Sequence, residues 1–163
     1  MKRHLFFMLC WCFYWLYKTR IYPESFPIMS IGENIWVSLP PMQCPRAQPA
    51  VVGHGGLLYV MGGRNSKKVE LKSVECYDPV TNCWTLMDDG LRKKRWAAAA
   101  VPFQDNSLLL IGGRGKWAAN SVEVFHAASQ QWQMADLRAG VRSHDKRYTA
   151  TLVNRPFERW GMT

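Results

Sequence analysis

Ser73-Val74-Glu75-Cys76-Tyr77-Asp78-Pro79-Val80-Thr81-Asn82-Cys83-Trp84 is answered 48 residues later by Ser121-Val122-Glu123-Val124-Phe125-His126-Ala127-Ala128-Ser129-Gln130-Gln131-Trp132. Ser, Glu, an aromatic and Trp keep their places, with Tyr77 and Phe125 each seven residues ahead of a tryptophan. Trp36 stands a further 48 residues before Trp84, so the chain is a repeat array. Each phrase follows an apolar run that ends in a glycine pair and an arginine, Leu57 to Arg64 and Leu108 to Arg114. The glycine pairs recur at 50 because the second unit has two extra residues before its pair and two fewer after it. Length changes of that kind fall in loops.

Residues 48–52, 57–61, 73–77 and 83–87 are short runs rich in β-branched, aromatic and aliphatic side chains. They are separated by His54-Gly55-Gly56, by the polar stretch 65–72 and by Asp78-Pro79-Val80-Thr81-Asn82, all turn chemistry. The second unit repeats the runs at 96–101, 107–111, 121–125 and 131–134. Four antiparallel strands per unit are predicted, and no amphipathic helix of useful length appears over 31–153. Ala97-Ala98-Ala99-Ala100 has helical propensity but occupies the place of Ala50-Val51-Val52, so it is read as an inner strand.

A period near 50 residues, four strand runs, a Gly-Gly pair and spaced Tyr and Trp resemble the kelch repeat, whose units are blades of a β-propeller. The resemblance covers 34–153 and implies an all-β fold, a partial kelch β-propeller with two complete four-stranded blades plus incomplete blades at each end. Residues 1–30 then form an apolar N-terminal segment, 31–153 the repeats (36–83, 84–131 and a partial 132–153), and 154–163 a non-repeat tail. The last inner strand is expected at 147–153 with no glycine pair after it, which reads as a truncated piece of a longer propeller. Several copies completing one ring is the other possibility. Uncovered end blades would make the isolated chain aggregation-prone or oligomeric. Gly62, Gly63, Gly112 and Gly113 are expected to be structural glycines, and Tyr77, Trp84, Phe125 and Trp132 aromatics packed between sheets.

The net charge of +9 does not by itself signal nucleic acid, because the cations are scattered and only Arg92-Lys93-Lys94-Arg95 is a tight cluster. At the N-terminus, Lys2-Arg3-His4 precedes 13 strongly apolar residues, 5–17, followed by Lys18 and Arg20. A membrane span needs about 20 such residues, and no small-x-small cleavage site follows. Cytoplasmic residence without membrane association is therefore expected, with the secretory pathway as the alternative if residues 1–20 act as a signal or anchor. The five cysteines, Cys10, Cys12, Cys44, Cys76 and Cys83, form no CxxC pair and read as reduced thiols, with a disulfide between Cys76 and Cys83 left open. His54, His126 and His144 are dispersed, no HExxH, GxSxG or phosphate loop is present, and Asp88-Asp89 reads as a turn. No catalytic residue, metal or cofactor is expected, and the chain is not read as an enzyme.

Arg46, Arg95 and Arg147 each open an inner strand, while Arg64 and Arg114 each follow a glycine pair directly. In many kelch proteins such loops form the partner-binding mouth. The resemblance thus implies that these five arginines offer forked, bidentate donors to an acidic peptide. The plainer alternative has each satisfied by local carbonyls and neighbouring turns. Val74-Glu75-Cys76-Tyr77-Asp78-Pro79 with Thr81-Asn82-Cys83-Trp84 looks like the BTB-kelch adaptor branch, which implies substrate recognition for cullin ubiquitin ligases. The sequence shows no BTB or helical part, so cullin recruitment comes only from the resemblance. Actin binding is a further family role, and a secreted or anchored kelch fragment with a structural or decoy role is the competing reading.

Overall fold

The computed structural model describes residues 27–30, 35–103 and 107–135, and all of its regular structure is β. Strands β1 (Pro27–Ser30) and β2 (Ile35–Ser38) pair antiparallel as a two-stranded sheet. β3 (Ala50–His54), β4 (Leu57–Met61), β5 (Val74–Asp78) and β6 (Cys83–Leu86) form the first four-stranded sheet in chain order. β7 (Ala99–Phe103), β8 (Ser107–Ile111), β9 (Val122–His126) and β10 (Gln131–Met134) form the second with the same antiparallel order. Two complete blades are therefore present. β1 precedes the boundary placed at residue 30, so the paired strands begin inside the segment read as separate from the repeats.

Both faces of each blade are apolar because blades stack on one another. In β4, Leu58 and Val60 point to one side and Tyr59 and Met61 to the other, as the period of two dictates, and all four are buried. Tyr59, Met61, Val74, Ala50 and Val52 meet Leu108, Leu110, Phe125 and Trp132 of the second blade in one core. The Tyr59 and Phe125 ring centroids lie 5.8 Å apart across that junction. On the far side, Leu58, Val60, Tyr77 and Trp84 pack with Leu39 and Met42. Tyr77–Trp84 and Phe125–Trp132 each have centroids 5.2 Å apart, so the expected aromatics lie between sheets.

The inner strands start later than the sequence suggests. Gln48 (φ 55°) and Ala97 (φ 51°) take left-handed backbone, which breaks the run, and β3 and β7 begin at Ala50 and Ala99. β7 continues through Pro102, which a strand at the edge of its sheet tolerates because it has a ladder on one side only. His54 belongs to β3, leaving Gly55 (φ 60°) and Gly56 (φ 82°) as a two-residue hairpin turn. Gly62 (φ 63°) shows what the glycine pair is for. A Cβ there would run into the carbonyl oxygen of Arg95, while the next residue, Gly63, donates its N–H to that same oxygen at 2.8 Å.

Candidate functional site

Arg46 and Arg95, expected to face a partner, are instead fully buried. Arg46 ion-pairs with Glu75 at 2.6 Å and donates to Ser73 Oγ at 3.1 Å, Gly62 O at 3.0 Å and Ser73 O at 2.8 Å. Arg95 repeats this with Glu123, Ser121 Oγ (3.1 Å), Gly112 O (2.8 Å) and Ser121 O (3.3 Å). Each carboxylate also accepts two backbone N–H groups from the segment leading into its blade, Gln43 and Cys44 for Glu75, Arg92 and Lys93 for Glu123. Burial pushes the Arg95 guanidinium down from its usual value, against the opposite pull of Glu123. A buried guanidinium needs partners for its fork of donors, and the recurring Ser-x-Glu phrase supplies them. That phrase was visible in the sequence; its link to an arginine nearly 30 residues upstream was not. Arg147 lies outside the described residues.

Arg64 and Arg114 do come together. The Arg64 guanidinium carbon sits 3.8 Å from the Trp96 ring centroid and that of Arg114 4.9 Å from the same ring. Trp96 begins the second blade, so blade 1 supplies one cation and blade 2 the aromatic and the other cation. Backbone bonds fix the arrangement: Arg64 exchanges N–H···O bonds with Ala47, and Arg114 does so with Trp96. Trp96 Nε1 donates to Glu70 at 3.3 Å, and Arg64 Nη2 donates to Gln48 Oε1 at 2.5 Å. Arg64 Nε has no hydrogen-bond partner among the described residues. Both arginines are half-buried, and Arg114 lines an open groove of about 450 Å³ with Gly113, Gly115 and Ala119. Stacking on an aromatic face holds a guanidinium plane while leaving its edge donors available. The sequence missed Trp96, which carried no signal beyond its place at the start of an inner strand.

Elsewhere the described residues offer little chemistry. No group of three or more His, Cys, Asp or Glu among them could hold a metal. No described helix is long and apolar enough to cross a membrane. Cys44, Cys76 and Cys83 are free thiols. Asp89 is engaged structurally, accepting from Arg92 at 2.7 Å and from the Trp132 N–H at 2.9 Å.

A family model described as Kelch motif matches residues 45–89. Kelch-like protein 26 of Danio rerio is 36% identical over 101 residues, covering 61% of this chain and 16% of the relative. An F-box/kelch-repeat protein of Arabidopsis thaliana is 30% identical over 102 residues, 61% of this chain and 27% of that protein. Beta-scruin of Limulus polyphemus is 42% identical over 84 residues, 48% of this chain and 9% of that protein. The chain thus spans less than a third of each. The solved structure of YjhT superposes with a TM-score of 0.58 at 18% identity, covering 69% of this chain and 45% of that one, so the two share a fold. Sheets that repeat with the sequence, a motif match over the first of them and relatives bearing the same repeat agree: the chain carries kelch-type repeats, and the described residues hold two of their four-stranded blades.

Proposed function

We propose that this chain is a non-enzymatic protein-interaction module whose rim of second-to-third-strand loops captures an acidic segment of a partner protein. The observation that carries this reading is the Arg64–Trp96–Arg114 cluster, two guanidiniums held on one ring at the junction of two blades. Placing two like charges together costs free energy in the absence of an anion; an acidic side chain between them would reverse that sign and take bidentate hydrogen bonds. Glu70, the nearby carboxylate, accepts from Trp96 Nε1. A finer assignment belongs to the same proposal, that of the substrate-recognition part of a ubiquitin-ligase adaptor in the cytoplasm; relatives named Kelch-like and F-box/kelch-repeat support its repeat class.

Binding of a fluorescent glutamate-rich peptide tests the rim. Arg64→Glu with Arg114→Glu should weaken it about a hundredfold, consistent with losing two charge-assisted contacts. Binding by the unmodified chain should also weaken as salt rises. Ala128→Glu, in the turn at the other end of the second blade, should change little. Equal binding by a double variant that keeps its sheet signal in circular dichroism would refute the reading.

A further inference from the structure

The two loops that carry Arg64 and Arg114 also present apolar side chains to water. Val69 is 48% exposed and Trp117 is 69% exposed. They stand 48 residues apart, so each occupies the same place in its unit, four residues before Ser73 or Ser121. Lone exposed apolar residues are ordinary. These two share a repeat position, and each sits on backbone that is tied down. Val69 donates its N–H to Asn65 Oδ1 at 2.9 Å, and its carbonyl accepts from the Asn65 N–H at 3.0 Å. Trp117 precedes Ala118, which is fully buried and whose carbonyl accepts from both the N–H and the hydroxyl of Ser121, at 3.0 and 2.9 Å. Local hydrogen bonding therefore holds the backbone at Val69 and directly after Trp117.

Their neighbours are cationic. Lys67 and Lys68 are exposed in the loop of Val69, and exposed Lys116 places its Nζ 5.6 Å from the Trp117 ring centroid. Val69 adjoins Glu70, the partner of Trp96, and Trp117 lies three residues beyond Arg114, which lines the groove with Gly113, Gly115 and Ala119. Each loop thus carries an arginine and an exposed apolar residue, which matches a ligand that combines acidic side chains with apolar ones beside them. Rigid aromatic anchors beside charged pairs are how interfaces concentrate affinity.

We propose that this rim reads an acidic protein segment flanked by aliphatic or aromatic residues, with Trp117 and Val69 as the apolar contacts. The proposal rests on the arginine rim described above and adds the apolar half of the recognition.

The full chain would be titrated against two fluorescent glutamate-rich peptides of equal length and charge, one with leucines flanking the acids and one with serines in those places. The leucine peptide should bind about tenfold tighter. Trp117→Ser with Val69→Ser should abolish that preference without weakening the serine peptide, while Trp117→Phe should keep most of it. Arg64→Ala with Arg114→Ala should weaken both peptides alike. A leucine preference that survives Trp117→Ser with Val69→Ser, or no preference in the unmodified chain, overturns the apolar contacts and leaves the arginine rim standing. If neither peptide binds, both readings fall.

Discussion

The two blades share a plan but not a full set of bonds, and the differences separate what the repeat requires from what each neighbour supplies. In blade 1, Arg46 Nε donates to Cys44 O at 3.1 Å and Trp84 Nε1 to Pro40 O at 2.8 Å. In blade 2, Arg95 Nε and Trp132 Nε1 are buried and have no hydrogen-bond partner among the described residues. Blade 2 has a clasp in exchange: Asp89 accepts the Trp132 N–H, and Arg92 Nε donates to Trp132 O at 2.6 Å, so two side chains pair with the outer edge of β10 as a further strand would. Burial differs too. Tyr59 and Met61 are covered by blade 2, whereas the matching Leu109 and Ile111 are only partly buried. A blade owes the burial of each face to whatever stacks upon it.

The buried ion pairs are where this comparison can be broken most forcefully. Glu75→Ala and Glu123→Ala each strand a buried guanidinium and two backbone N–H groups, and each should cost about 3–5 kcal/mol in denaturant titration. Arg46→Met should cost about 1 kcal/mol more than Arg95→Met, because only Arg46 loses an Nε bond. Equal losses for the two arginine variants would mean that the blades are energetically alike despite the bond.

Trp84→Phe and Trp132→Phe sharpen the same contrast at smaller magnitude. Both lose packing, but only Trp84 gives up a carbonyl partner for its indole N–H. Trp84→Phe should therefore destabilise by about 1 kcal/mol more, and the reverse order would overturn the assignment.

The smallest effect is set by pH. Burial is the main force that pushes the Cys76 thiol up from 9.0 to about 11 and the Tyr59 phenol up from 10.0 to about 12, and the two face each other across β4 and β5. The fold favours their protonated forms, so this contribution is intact below pH 9.0 and is lost as pH rises through about 11 and then 12. Blade 2 has Val124 and Leu109 at these places, which do not titrate. Tyr59→Leu with Cys76→Val should flatten the alkaline decline of the melting temperature, and an unchanged decline would assign it to other groups.

Blade count, strand order and the aromatic pairs were legible in the residues, because a period of 48 with Gly-Gly, Tyr and Trp at fixed places leaves few ways to bury those side chains. Strand starts were less so: Gln48 and Ala97 adopt positive φ although neither is glycine, and only the inter-blade bond from Ala97 N–H to Gln48 O at 2.8 Å shows why that backbone is held. The arginines divide most clearly. All five were given one role from sequence, since spacing places a residue near a loop but says nothing of which way its side chain turns. Tertiary structure buried Arg46 and Arg95 against Glu75 and Glu123, because a guanidinium enclosed by two strands and a lead-in segment must find carboxylate and carbonyl partners there. It left Arg64 and Arg114 stacked on Trp96, because that ring, beside Arg114 in its own blade, reaches Arg64 only when one blade is laid against the next.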